Sequence, residues 1–267
     1  NTPMKTKIPH LILALGIFAA QPASAALVFQ MDFNDAYGNE SLLDRGTTSV
    51  TGTFSGGSAY STTYAPSNDG GYSGSFDGSS GAANFGDINA LDGLSTMTIT
   101  AWIRMDSAGE SGSGRIVQKR SGISSGFETY YHGTDSELEF VAKGTPVANG
   151  GGSITFGDWT WIAITYDGTD ATFYTGDGTT LSAADTATIS KGSLGSNGVS
   201  LLIGNIAADS RTFDGLIDNV RIYDSVEDAA SLTSIMQFND ALFVPEPSST
   251  ALLGLGGLAL MLRRKRS

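Results

Sequence analysis

The clearest pattern in the chain is a two-residue alternation over residues 96–105. Met97, Ile99, Ala101, Ile103 and Met105 fall on one face, and Thr96, Thr98, Thr100, Trp102 and Arg104 on the other. A strand points successive side chains to opposite sides, so this segment predicts a strand with two distinct faces. Residues 159–166 repeat the pattern, with Trp159, Trp161, Ala163 and Thr165 against Thr160, Ile162, Ile164 and Tyr166. Further strands are expected at 27–33, 115–119, 126–131, 137–142, 171–174, 200–204 and 216–223. Asp167-Gly168, Gly176-Asp177-Gly178 and Asn197-Gly198 supply turn chemistry between them. Residues 46–75 are rich in Gly, Ser, Thr and Tyr and predict loops with at most short edge strands. One segment, 226–238, has helical spacing: Ala229, Leu232, Ile235 and Met236 are apolar, and Glu227 and Asp228 fall in the first turn. Many short strands and one terminal helix predict an all-β antiparallel sandwich spanning residues 26–238.

The two ends follow other rules. Met4 reads as the start, with residues 1–3 an upstream extension. Lys5 and Lys7, an apolar run over 8–20 and the small residues Ala23-Ser24-Ala25 have the layout of a secretory leader over 1–25, cleaved after Ala25. The other end carries Pro245-Glu246-Pro247, an apolar stretch over 251–262, then Arg263-Arg264-Lys265-Arg266. Twelve residues make roughly 18 Å of helix against about 30 Å of hydrocarbon, which is short for a permanent span. The four cations resist crossing, so the stretch predicts a transient membrane helix. Together these elements resemble the PEP-CTERM sorting signal of bacterial surface proteins. The resemblance implies that 239–267 is a linker and sorting tail cut by an exosortase near Pro245–Pro247, and that the protein is secreted or held at the cell surface.

Removing the signals leaves nine basic residues against 27 acidic ones over 26–262, a balance of −18. Such a surface opposes nucleic acid and anionic polymers, and suits neutral glycans or divalent cations. It is equally compatible with a plain solvated exterior. There is no cysteine, so export brings no disulfide and stability rests on core area, with a metal as a further option.

Six segments recur in a particular order: Phe76-Asp77-Gly78, residues 98–103, Ile116-Val117-Gln118-Lys119, residues 159–168, Leu202-Ile203-Gly204 and residues 213–223. Their order resembles bacterial laminin-G-like domains. This implies a concanavalin A-like jelly roll with one short C-terminal helix, in addition to the signal and sorting helices. The stretch Tyr174-Thr175-Gly176-Asp177-Gly178 is longer than the family's usual turn and leaves the register of that hairpin open.

Candidate chemistry is sparse. The laminarinase-type relatives carry Glu-x-Asp-x-x-Glu, and this sequence does not. Glu137 and Glu139 share one strand face opposite Leu138 and Phe140, which reads as an outward polar face. His132, the one histidine after the leader, cannot build a His-rich zinc site and reads as a surface imidazole. The expectation is therefore a non-catalytic surface or matrix protein that binds a glycan or extracellular polysaccharide, or a protein partner. A degenerate glycosidase and a purely structural matrix component are the alternatives. Trp102, Trp161 and Tyr130 are the candidate ligand-binding residues, since rings beside hydroxyls can stack on sugars; the competing reading has the tryptophans filling the sandwich under a cover. For the metal, the family resemblance implies a structural calcium where first and last strands meet, held by Asp32 and Asp218 with backbone carbonyls. The competing reading has both as ordinary turn and edge aspartates.

Overall fold

A computed structural model describes residues 26–34, 41–66, 71–149 and 154–237. The leader, with its cleavage point after Ala25, and the tail, with Pro245–Pro247 and Arg263–Arg266, lie outside the described residues. The strands in chain order are β1 (Leu27–Met31), β2 (Ser41–Leu43), β3 (Thr51–Phe54), β4 (Ala59–Ser61), β5 (Ser73–Asp77), β6 (Ala83–Asn84), β7 (Met97–Met105) and β8 (Arg115–Ser121). After these come β9 (Ser125–His132), β10 (Glu137–Ala142), β11 (Thr145–Asn149), β12 (Trp159–Tyr166), β13 (Asp170–Gly176), β14 (Leu181–Thr188), β15 (Leu202–Ile203) and β16 (Asp214–Tyr223). Among the described residues one α-helix, α1 (Ala229–Gln237), follows the last strand.

Two antiparallel sheets pack face to face. One runs β14-β13-β12-β7-β16-β5-β4, with β1 also paired to β16; the other runs β11-β10-β9-β8-β15-β6-β3-β2. The alternation read from the sequence is what glues them. Met97, Ile99, Ala101, Ile103 and Met105 from β7 join Ile162, Ile164 and Tyr166 from β12 in a core closed by Val117, Phe127, Leu138 and Phe140 of the facing sheet. Burying a side chain of this size contributes about 1.5–3 kcal/mol, so the alternation fixes strand register firmly.

The segments that carry the family resemblance meet in space. Asp77 and Phe76 pair with Asp214 and Gly215 across β5 and β16, and the rings of Phe76 and Phe213 meet edge to face at 6.3 Å. Gly204 lies under the Phe76 ring with φ +87°, and a Cβ there would stand 2.2 Å from ring carbons. Glycine is needed at that position on both counts.

β16 is the keystone of its sheet. Its first half pairs with β5 and its second half with β1, while β7 runs along its other side. A bulge between Asp218 and Arg221, where Asn219 has φ +47°, separates the two halves. A bulge adds a residue and turns the strand, which lets one strand serve two partners on the same side.

The differences from the sequence expectation have local causes. β14 and β11 lack apolar alternation and were not anticipated. The β13–β14 turn accommodates its longer sequence through Asp177, whose Oδ1 accepts from the Thr179 and Thr180 N–H groups at 2.8 and 2.7 Å. Asp167 does the same for Thr169 and Asp170, and these bonds hold both carboxyls below the usual range. Asn197-Gly198 closes no hairpin; Asn197 instead accepts from Lys119. The helix begins at Ala229, three residues later than expected, because Asp228 is its cap: Oδ1 accepts the Ser231 N–H at 2.8 Å.

Candidate functional site

α1 lies across the outer face of the sheet that contains β7 and β12. Leu232, Ile235 and Met236 from the helix pack with Trp102, Trp161, Ala163, Tyr223 and Ala65 in a second apolar cluster. Trp102 and Trp161 are direct cross-strand partners, and each is only 1% exposed. The sugar-stacking expectation for these two rings is therefore corrected: the helix already occupies their faces, and they act as its seat. Thr98 fixes the approach to the helix, donating to Ser225 O at 2.7 Å and accepting from the Glu227 N–H at 3.0 Å. Arg221 donates to Ile235 O at 3.1 Å near the other helix end, where cations are favoured. Burial in this cluster pushes the Tyr223 hydroxyl up to about 12.

The outer face of the opposite sheet is polar instead. Tyr130, the third candidate, lies on β9 opposite Glu139 of β10 and Arg115 of β8. Its hydroxyl donates to Glu139 Oε2, and the Arg115 guanidinium stacks over its ring at 3.7 Å. Burial, then the bond to Glu139, raises the Tyr130 hydroxyl well above its ordinary value. Glu128 accepts from Arg115 at 3.2 Å and Arg120 at 3.0 Å through one oxygen. Beside this network, at the β9–β10 turn, His132 Nδ1 is 2.6 Å from Asp135 Oδ2 and 3.7 Å from Glu139 Oε1. Sequence reasoning set His132 aside because it looked for further histidines. The partners are carboxylates, one on the neighbouring strand and one in the turn.

Asp32 and Asp218 come from segments that the β1–β16 pairing lays side by side, Met31 facing Val220. Asp32 is 2% exposed; its Oδ2 lies 2.6 Å from Arg45 Nε and its Oδ1 accepts from the Asn34 N–H at 3.1 Å. Asp218 is fully buried and accepts from Ala65 N at 3.0 Å and Asn219 N at 2.8 Å. Both are hard oxygen donors of the kind calcium takes, and Arg45 is a cation already on one of them.

A concavity that the sequence did not flag opens between the sheets at their β3 and β4 strands. About 390 Å³ in volume, it is lined by Thr53, Phe54, Ser58, Ala59 and Tyr60. Phe54 and Tyr60 are half-buried and meet edge to face at 5.0 Å. Phe33 stacks against Phe54 from behind at 6.1 Å, so the rings are braced by the core.

The laminin-G-type family model of the concanavalin A-like lectin/glucanases superfamily matches residues 77–232, most of the described sandwich. The chain belongs to this superfamily. A PEP-CTERM protein-sorting motif matches residues 243–266 and marks the protein for export to the cell surface or beyond it. Among solved structures, domain 4 of AbnA, an extracellular GH43 arabinanase from Geobacillus stearothermophilus, in complex with arabinotriose, is similar with a TM-score of 0.60 at 17% identity. The similarity covers 80% of this chain and 99% of that one. The binding domain of Paraclostridial Mosquitocidal Protein 1 gives 0.56 at 16% identity, and the receptor-binding domain of botulinum neurotoxin mosaic serotype C/D gives 0.58 at 10%. This chain covers 79% of its own length in each of these two matches, and spans 52% and 50% of those chains. At such identities these likenesses show the shared jelly roll. No curated protein sequence matches the chain. The lectin-like superfamily and the sorting motif together make this an exported, lectin-like surface protein. Two of these similar structures are binding domains of their own proteins.

Proposed function

We propose that the domain is a non-catalytic carbohydrate-binding module, with the concavity between β3 and β4 as its sugar site. The observation that carries this reading is the pair of half-buried rings, Phe54 and Tyr60, in a cavity of about 390 Å³ beside the exposed Thr53. Sugars present C–H faces to aromatic rings and hydroxyls to polar rims, and a braced ring loses little entropy on binding. The arabinotriose in the similar arabinanase domain supports an oligosaccharide as the ligand class. A neutral glycan also suits the acidic balance of the chain. Tyr130 is the alternative anchor, but Arg115 already covers its ring.

A glycan array on the exported protein tests the reading. Binding to a neutral oligosaccharide, at least tenfold weaker in Tyr60→Ala with an unchanged circular dichroism spectrum, is the expected result. Retained binding in that variant would place the sugar elsewhere. No binding to any glycan would favour a structural matrix component, and release of reducing sugar would favour a glycosidase.

The calcium reading belongs to the same proposal. Asp32 and Asp218 would hold the ion and pin β1 against β16. An ion bound only by the folded state stabilises by about 2.7 kcal/mol at a hundredfold excess over its dissociation constant. EDTA is then expected to lower the melting temperature by several degrees. If Arg45 alone balances Asp32, EDTA leaves the transition where it was. At the tail, exosortase cutting near Pro245–Pro247 would leave Val244 close to the mature C-terminus. An exported form whose mass still includes Arg263–Arg266 would contradict this.

A further inference from the structure

We infer that His132, Asp135 and Glu139 form a binding site for a first-row divalent transition ion such as zinc, with at least one coordination position left open to solvent. The three side chains come from the end of β9, the connecting turn and β10, and their ligand atoms lie within 4.8 Å of one another. The hairpin creates this convergence. His132 pairs with Glu137 across the ladder, so Glu139, two residues on, shares its face one step away. Ser136, with φ +58°, folds the turn that carries Asp135 back toward the imidazole.

Three features favour an ion over a simple hydrogen-bonded cluster. Donors on one tetrahedral zinc, at bonds of about 2.0–2.2 Å, stand about 3.4 Å apart. His132 Nδ1 and Glu139 Oε1, at 3.7 Å, are too far apart for a hydrogen bond and close to that spacing. Asp135 Oδ2, at 2.6 Å from Nδ1, has only to back away, and its side chain is 55% exposed. Next, Glu139 is a prepared ligand. Its Oε2 is held by the Tyr130 hydroxyl, whose ring is held by Arg115, which leaves Oε1 aimed at the site. Such outer partners orient a ligating carboxylate and make it rigid. Third, among the described residues neither carboxylate has a lysine or arginine ion-pair partner; the imidazole is their shared neighbour. Two carboxylates around one imidazole have a net negative charge that a divalent cation neutralises.

The donor set also narrows the ion. One imidazole nitrogen and two carboxylate oxygens suit zinc, cobalt or nickel better than calcium, which takes oxygen alone. Glu139 is buried, whereas His132 and Asp135 line the outer side, so the remaining positions face solvent. Water fills them by default, and a ligand hydroxyl arriving on this face could displace it. The site is independent of the sugar proposal, because the β3–β4 concavity shares none of its residues.

The test is a Co²⁺ titration of the full chain, followed by visible absorption, with Zn²⁺ as competitor. One Co²⁺ per chain, displaced by Zn²⁺ but not by excess Ca²⁺, is expected. His132→Ala should abolish the spectrum and Glu139→Gln should weaken binding at least tenfold, while His10→Ala in the leader changes nothing. Tyr130→Phe, which removes only the outer hydrogen bond, should weaken binding several-fold without changing the stoichiometry. Matching circular dichroism of His132→Ala and the parent separates lost ligation from lost folding. Absence of binding, or binding unaffected by His132→Ala, overturns the proposal.

Discussion

Lys119→Met is expected to lower stability by about 3 kcal/mol, read as a drop of roughly 10 °C in melting temperature for a domain of this size. Lys119 is 1% exposed, yet its ammonium is fully employed. Nζ donates to Asp87 Oδ1 at 2.8 Å, Asp92 Oδ1 at 2.9 Å, Val199 O at 3.2 Å and both oxygens of Asn197 at 3.3–3.4 Å. Methionine keeps the length of the stem and removes the charge, so the loss is electrostatic rather than a cavity. The two aspartates keep some water contact, which moderates the cost. The carbonyls of Asn197 and Val199 would lose their donor, and the irregular segment from Ile189 to Leu201 would lose its tie to β8. Faster proteolysis between these residues should accompany the drop. A shift under about 2 °C would show that the network contributes little.

Trp102→Ala should cost about 3–5 kcal/mol, the range for emptying a buried Trp site. The ring shares its buried cluster with Trp161 and with Leu232, Ile235 and Met236 of α1, so its removal weakens the seat of the helix as well as removing apolar area. Hydrogen exchange should speed up first over Ala229–Gln237, with β7 and β12 holding longer. Glycan binding below the new melting temperature should be unchanged, the reverse of what is expected for Tyr60→Ala. A Trp102→Ala protein with native stability but no sugar binding would reinstate the stacking platform that burial argues against.

The fold was legible wherever a strand had two different faces. β7 and β12 alternate because one side meets the sandwich core and the other meets α1, and both faces demand particular residues. Alternation cannot tell which cover lies over the second face, since α1 is more than sixty residues beyond β12 in the chain. β14, with Leu181-Ser182-Ala183-Ala184 at its start, sits at a sheet edge and carries no period to read. The same limit applied to the sites. Phe54 and Tyr60 lie in a stretch whose composition reads as loop, and they form a concavity only because β3 and β4 belong to different sheets. Tyr130 was named as a ligand contact, whereas its bond to Glu139 depends on cross-strand register. Asp32 and Asp218 were paired through resemblance, and the β1–β16 ladder explains why such distant positions can be neighbours.

The central place of β16 dictates a timetable for export. β1, β5 and β7 all need this strand, and among the described residues it is the last strand made. Until Tyr223 has crossed the membrane, the first sheet has no middle, and the earlier two hundred residues can only wait as an unfinished half. By then the tail is already on its way. Seven residues lie between Gln237 and Pro245, eight chain steps with a reach of at most about 28 Å. Closure of the sandwich and emergence of the sorting motif are thus close together in time. Prompt closure matters because the open strand edges of an incomplete sheet pair readily with those of other incomplete chains.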